Sequence, residues 1–405
     1  MKRYYQIIYT FVVNLGLGLG YAVVLSQLLG LDFRGEVYSY QIPALVISTV
    51  LFSSIPQSIF ELSKRKSIPE YSIPFLVSIL SLLSLLGGLL GWLYVALSGG
   101  DVAMQWQLLG LLLVSQGFCI FTLELVKFNK NVVEYYACLI CQPFFLLIFI
   151  LLADFLGDKV TVEMAVYSII SAYSVSFLIM ALISAKYFSF SKVAALSFSN
   201  IDRVFVPRIK SLLLFRLLGV LAAHIDKLLL TVLVETSVMG LVAVCASLET
   251  VSSRLFTLLA NTKMNYLVNG SLNSRQNIMF FGVCSFIGLL GVLFAFFAGK
   301  WVLNFIFGME FELAQKYLPV IIATSVVSGI CNVSSQSWFL SGSYRRVYTR
   351  QVLGIIAILV GSFLFSVEDV ALTVLYSAFA ASLVRSAYTA CYLDLNFLKI
   401  SFQKK

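Results

Sequence analysis

Five charged side chains stand at positions where the surrounding sequence is otherwise apolar: Arg216, Asp226, Lys227, Glu249 and Arg385. Four ionisable residues, Arg216, His224, Asp226 and Lys227, fall in one stretch, LLFRLLGVLAAHIDKLLLTVLV at 213–234. As a helix that stretch rises roughly 33 Å, about the thickness of a bilayer's hydrocarbon core. A charge at such depth costs about 2.5–3.5 kcal/mol on insertion scales. Residues kept at that cost face a polar cavity or one another. Arg216, Val220, Ala223 and Lys227 follow i, i+4, i+7 and i+11, which is one helix face. Two cations among small neighbours (Gly219, Ala222 and Ala223) suit a packed or water-lined interior and not lipid. Arg216, Lys227 and Arg385 are therefore the candidate substrate-binding residues. Asp226, Glu249 and His224 are candidates for charge balance or ion coupling. Plainer roles stay open beside these: Arg216 snorkelling to the cytoplasmic surface, the acids neutralising cations across packed helices, and His224 as a hydrogen-bonded packing residue.

Catalytic and metal chemistry find no support in the same residues. His224 and Asp226 are two apart on a helix and point roughly 160° from each other, so they do not act on one substrate atom. A single histidine leaves no ready zinc set, and Cys138 and Cys141 form a C-x-x-C without a soluble redox context. The seven cysteines read as packing residues. No phosphate-cradling loop is present: GLGLG at 16–20 lies inside an apolar span. No cofactor is expected.

The elements that must position these charges are membrane helices. The chain is 60% hydrophobic and 12% charged, with a mean hydropathy of +0.96, against about 25% charge in soluble domains. The apolar runs are continuous rather than alternating, which excludes a β-barrel and any single soluble core. Hydropathy predicts twelve spans, near 7–30, 38–60, 73–97, 105–126, 132–153, 162–185, 209–234, 237–260, 278–299, 317–340, 350–367 and 369–393. The first, preceded by Lys2 and Arg3, has no cleavage site and reads as an uncleaved span. With the N-terminus in the cytoplasm, 21 of the 28 Lys and Arg fall in cytoplasmic segments or helix ends. Only Arg34, Lys159, Lys300 and Lys316 fall in outside segments. Both termini are therefore expected in the cytoplasm. The net charge of +9 reflects this topology and not a nucleic-acid partner. The longest connection, 186–208, is basic and divides an N-lobe (1–185) from a C-lobe (209–405), six helices each, a common transporter plan. Gly35 and Gly240 are a weak echo between the halves. The pairs Gly16/Gly20 and Gly87/Gly91 favour close helix packing. Asn14, Gln27, Gln57, Asn332 and Gln336 are expected to hydrogen-bond between helices, and Pro43, Pro56, Pro143 and Pro319 to kink helices or open them.

Several longer strings carry a resemblance. LLGLDFRGEVYSY (28–40) followed by SIPQSIFELSKRK (54–66), VKFNKNVVEYYACLICQPFFLLIFIL (126–151), HIDKLLLTVLVETSVMGLVAVCASLE (224–249) and LNFIFGMEFELAQKYLPVI (303–321) together resemble Wzx-type polysaccharide flippases. The resemblance spans nearly the whole chain. It implies the fold of the multidrug/oligosaccharidyl-lipid/polysaccharide exporters: an all-α integral membrane protein of about twelve helices in two six-helix lobes around a central cavity. It also implies a location in the bacterial inner membrane and a cargo of oligosaccharide on undecaprenyl pyrophosphate, moved from the cytoplasmic to the periplasmic leaflet. A polysaccharide polymerase and a chain-length regulator are the companion proteins it suggests, with lipopolysaccharide or O-antigen as the product. A cavity with more cations than acids suits the pyrophosphate. An exporter of drugs or cations on the same fold would favour an acidic cavity, and a polysaccharide-processing membrane enzyme would be expected to carry a substantial outside loop.

Overall fold

The computed structural model describes residues 2–64, 73–98, 102–128, 132–157, 159–185, 206–268, 274–335, 338, 344–364 and 368–392. All regular structure among them is helical. Eleven α-helices follow in order: α1 (Lys2–Lys64), α2 (Ile73–Ser98), α3 (Val102–Phe128), α4 (Val132–Leu156), α5 (Val162–Ala185), α6 (Val206–Leu233), α7 (Thr236–Val268), α8 (Ser274–Ile306), α9 (Leu318–Ser334), α10 (Tyr344–Leu364) and α11 (Val370–Cys391). A 3-10 segment, Met309–Lys316, precedes α9 and is bent 55° from it.

Among the described residues, eight helices are long and apolar enough to cross a membrane, and a ninth is obtained by joining the bent pair. The twelve expected spans map onto these helices once three details are resolved. First, α1 is 63 residues long and contains two spans. Its break is Gly30, at φ 68° and ψ −173°, a conformation open to glycine and strained for other residues. Second, α2 keeps a shorter apolar core at Leu80–Ala96. Third, α6 is long enough, but Arg208, Lys210, Arg216, Asp226 and Lys227 leave no 18-residue window with fewer than three charges. Pro319 opens α9 in its first turn, where a missing N–H costs nothing. Pro43, Pro56 and Pro143 lie inside helices. The basic connection 186–205 lies outside the described residues.

The placement of Arg34 corrects an expectation. It does not sit in an outside loop, because the residues after Gly30 continue as helix. It is 3% exposed, with its guanidinium 5.7 Å from the centre of the Tyr38 ring. Charge counting treats every cation between two spans as loop; a bend at one glycine leaves no loop for it to occupy.

The chain forms two compact units, Met1–His224 and Ile225–Lys405. In the first, α3 is the central helix: 61% of its apolar window is buried, against 22% for α4. Leu109, Leu112, Leu113 and Phe121 of α3 pack with Leu25 and Phe52 of α1, Ile150 of α4 and Ile169 of α5. Gly117 is the contact point for Phe52; a Cβ there would stand 2.5 Å from the ring. Neutral polar bonds tie the same helices. Asn14 donates to the Leu139 carbonyl, joining α1 to α4. The amides of Gln116 (α3) and Gln142 (α4) both donate to the Tyr173 hydroxyl on α5, at 3.3 and 3.2 Å.

In the second unit, α10 and α11 meet through Ile358, Ala378 and Ala381, with Ile225 and Leu229 of α6 against them. Gly361 brings α10 close to α11, since a Cβ there would lie 2.9 Å from Ser377. At one end of the unit, Asp369 caps α11 by accepting from the N–H groups of Ala371 and Leu372. The same carboxylate accepts from Lys316 at 2.7 Å and from the Tyr317 hydroxyl at 3.0 Å.

Candidate functional site

The second unit concentrates its charge around α6, α7, α9, α10 and α11. Lys227 on α6 and Glu249 on α7 form an ion pair of 2.7 Å, with side chains 11% and 19% exposed. Asp226, next to Lys227, is equally buried. The pair joins two levels of the molecule. From the α6–α7 turn, Lys227 is about 9 Å down its helix and Glu249 about 20 Å down its own. Reckoned by Cα depth they are at different levels; the four-carbon lysine stem covers much of that offset.

Arg385 on α11 donates to the Ser328 hydroxyl on α9 at 3.1 Å. Its stem lies across α10 at Gly354, where a Cβ would come within 2.6 Å of Arg385 Cδ. The glycine leaves the arginine stem room to lie in this place. Arg385 is also within electrostatic reach of Asp226 and of Arg350. Asp226 in turn senses Lys227, Glu249 and Arg385. The structure therefore brings four of the six sequence-selected residues into one cluster: Asp226, Lys227, Glu249 and Arg385. The other two, Arg216 and His224, lie on the part of α6 that belongs to the first unit, both half-buried.

Arg350 joins the cluster without having been selected. It is 5% exposed. It donates to Ser335 Oγ at 2.6 Å, Cys331 Sγ at 3.4 Å and Asn332 Oδ1 at 3.5 Å, and its guanidinium stands 5.9 Å from the Trp338 ring centre. Cys331, Asn332 and Ser335 form the last turn of α9, where a cation complements the negative end of the helix dipole. Cys331 also contacts Thr389 Oγ1 of α11 at 3.1 Å. One sequence signal for Arg350 was available: Arg350, Gly354, Ala357 and Gly361 form a small-residue stripe at helical spacing on α10. Of the other polar residues expected between helices, Asn332 accepts from Arg350, while the side chains of Gln57 and Gln336 lie outside the described residues.

Among the described residues no three His, Cys, Asp or Glu side chains are grouped so as to hold a metal ion. The cluster is instead a set of internal cations and acids. Lys227, Arg350 and Arg385 outnumber Asp226 and Glu249 by one. Such a set can hold an anionic group, and it can exchange partners when its helices move.

No protein-family model and no curated protein sequence matches the chain. Solved structures do. The chain is similar to the lipid II flippase MurJ in its inward closed conformation, with a TM-score of 0.70 and 13% identity over 98% of this chain and 89% of that one. It is similar to the inward-facing conformation of a multidrug resistance MATE transporter of the MOP superfamily, with a TM-score of 0.64 and 10% identity over 96% and 95%. The bent form of the Vibrio cholerae MATE transporter VcmN gives a TM-score of 0.56 and 16% identity over 98% of both chains. The protein is thus a multi-pass, all-helical membrane protein with the fold of the MOP superfamily, and the proteins it resembles are transporters rather than enzymes.

Proposed function

We propose that the protein is a flippase that carries an oligosaccharide on a polyprenyl diphosphate across the membrane by alternating access. The observation that supports this most is the buried charge cluster of the second unit, in which cations outnumber acids on a fold shared with a lipid II flippase. A diphosphate is a dianion or more, and Arg and Lys recognise it by charge-assisted hydrogen bonds. Lys227, Arg385 and Arg216 are the headgroup-attracting residues in this reading. Glu249 and Asp226 limit the excess field, so that the cargo leaves as well as enters. The lipid tail stays in the bilayer while the polar part crosses through protein.

The Lys/Arg distribution supports cytoplasmic termini, with an N-lobe at 1–185, a linker at 186–208 and a C-lobe from 209; the resemblance to Wzx-type flippases implies the bacterial inner membrane. A polymerase acting on the flipped repeat unit, as in O-antigen assembly, is the downstream partner. The likeness to MATE transporters favours a second reading, export of small organic cations. An excess of internal cations works against that cargo.

A strain lacking the gene decides between them. A lipid-linked oligosaccharide should accumulate in the cytoplasmic leaflet, with loss of the surface polysaccharide. Unchanged polysaccharide together with drug or dye sensitivity would support the exporter and sink the flippase.

A further inference from the structure

The first unit holds a cavity of about 770 Å³ that the charge cluster does not involve. It lies between the two arms of α1 on either side of the Gly30 bend, one residue of α3 and the α4–α5 turn. The turn is built locally. Gly157 donates its N–H to the Ala153 carbonyl, and a Cβ on it would stand 2.8 Å from Met164 Cε. Thr161 caps α5, its hydroxyl accepting from the Met164 N–H at 3.3 Å. That cap presents Glu163 in the first turn of α5, towards Glu36 on α1. Both carboxylates act on the Tyr40 hydroxyl. Asp154 and Lys159 complete the polar wall, and Phe33, 52% exposed, supplies an open aromatic face.

We propose that this cavity is a glycan subsite for neutral or amino sugars. The inference rests on the flippase reading for its biological cargo and on the cavity itself for its chemistry. Its volume is inside the range of about 300–1,000 Å³ typical of small-molecule sites. Carboxylates accept several hydroxyl protons each, and phenol and ammonium groups donate to ring and hydroxyl oxygens. The Phe33 and Tyr40 rings offer apolar surface to the C–H face of a pyranose. Three carboxylates against one ammonium repel a phosphate or a uronate, so the headgroup and the sugar have separate places in the molecule. A metal ion is a poorer occupant, because the acids are not grouped to ligate one. On the orientation proposed above, the cavity opens on the periplasmic side, where the glycan emerges.

The test uses the full chain in lipid nanodiscs and saturation-transfer NMR with free sugars: maltotriose, triacetylchitotriose, the deacetylated chitosan trimer and trigalacturonate. At least one neutral or amino trisaccharide should give saturable transfer, and trigalacturonate should give none. Glu163→Gln and Phe33→Ala should each weaken the signal about tenfold. Phe33 is open to the surroundings, so its loss leaves the core packing untouched, and Tyr40→Phe, which removes only a hydroxyl, serves as the conservative check. No transfer from any neutral or amino sugar, transfer from trigalacturonate, wild-type transfer in both variants, or displacement of the sugar by millimolar calcium would overturn the subsite. The gene-deletion experiment keeps the two ideas separate. Accumulation of a lipid-linked precursor without sugar binding sinks the subsite alone. Sugar binding with no accumulated precursor sinks the flippase alone.

Discussion

The two compact units solve one problem, polar groups inside an apolar bundle, with different chemistry. In the first, neutral bonds join α1, α3, α4 and α5: Asn14 to a carbonyl, and Gln116 and Gln142 to Tyr173. In the second, charged side chains take part as well: Lys227 pairs with Glu249, and Arg385 and Arg350 donate to the hydroxyls and thiol of α9. A neutral hydrogen bond contributes about 0.5–1.5 kcal/mol and leaves little penalty when both groups are replaced by apolar ones. An internal ion pair costs far more to break on one side than to replace entirely. The first unit is thus built to hold one arrangement. In the second, removing one charge leaves its partner unsatisfied.

The largest expected effect breaks this comparison directly. Lys227→Ala or Glu249→Ala removes one side of the pair and leaves the other charge eight- to nine-tenths enclosed, and should lower stability by about 3 kcal/mol. The double variant Lys227→Met with Glu249→Leu should recover most of that, measured by thermal unfolding of the purified protein in detergent. Export then separates the roles of Lys227. If the double variant restores both protein level and export, the lysine only neutralises Glu249 and is not a headgroup ligand. Stability restored without export is the outcome that the flippase reading requires.

A pair of glycine substitutions sharpens the same contrast. Gly117→Ala drives a methyl into the Phe52 ring, and Gly354→Ala drives one into the Arg385 stem. Overpacking a rigid core costs about 1–3 kcal/mol. The Phe52 ring is held on all sides, so Gly117→Ala should show that cost in its unfolding midpoint. An arginine stem yields more easily, so Gly354→Ala should unfold close to wild type and lose export instead, because the guanidinium leaves Ser328. Equal midpoint losses with export intact would show that Arg385 is merely packed.

These expectations show what was legible in the sequence. Continuous apolar runs marked the α-helices among the described residues, because a bilayer allows few other ways of satisfying a backbone. The residues Asp226, Lys227, Glu249 and Arg385 were found by being charged inside such runs. Arg34, Lys263 and Arg350 were missed because they stand at the ends of runs, where a cation reads as surface topology. Each is in fact 5% exposed or less. For Arg34 the cause is a bend at Gly30, for Arg350 the last turn of α9, and neither is written in hydropathy. The Lys227–Glu249 contact is one form of the plainer role left open for the acids, which neutralise a cation across packed helices.

A smaller effect probes the neutral side. Tyr173→Phe removes the hydroxyl that both Gln116 and Gln142 use. The loss should be about 1–2 kcal/mol, since two amide donors remain without their acceptor. Export should persist at wild-type rate per folded molecule. A transport defect beyond the loss of folded protein would give Tyr173 a role in transport and not only in helix packing.

The smallest effect lies at the end of the second unit, where Asp369 combines a helix cap with an ion pair. Burial raises its carboxyl pKa, but hydrogen bonds from Lys316, the Leu372 N–H and Tyr317 outweigh that and hold it below the usual carboxylate value. A depressed folded-state value means that the stabilisation is fully present above the unfolded value of about 3.9. It is lost as the pH falls from there through the folded value. The acid limb of the stability profile, below about pH 4, should therefore flatten in Asp369→Asn, which keeps an oxygen acceptor for the Ala371 and Leu372 N–H groups but carries no charge. At neutral pH the same variant should cost under about 1 kcal/mol, because Lys316 is half-exposed and the pair is screened by water. Asp369→Ala removes the cap as well and should cost about 1 kcal/mol more. The readout is the unfolding midpoint of wild type and both variants from pH 7 down to the lowest pH at which the protein stays dispersed. If the asparagine variant retains the wild-type acid limb, the titrating group is not Asp369, and the comparison between a neutral unit and a charged one stops short of this end of the molecule.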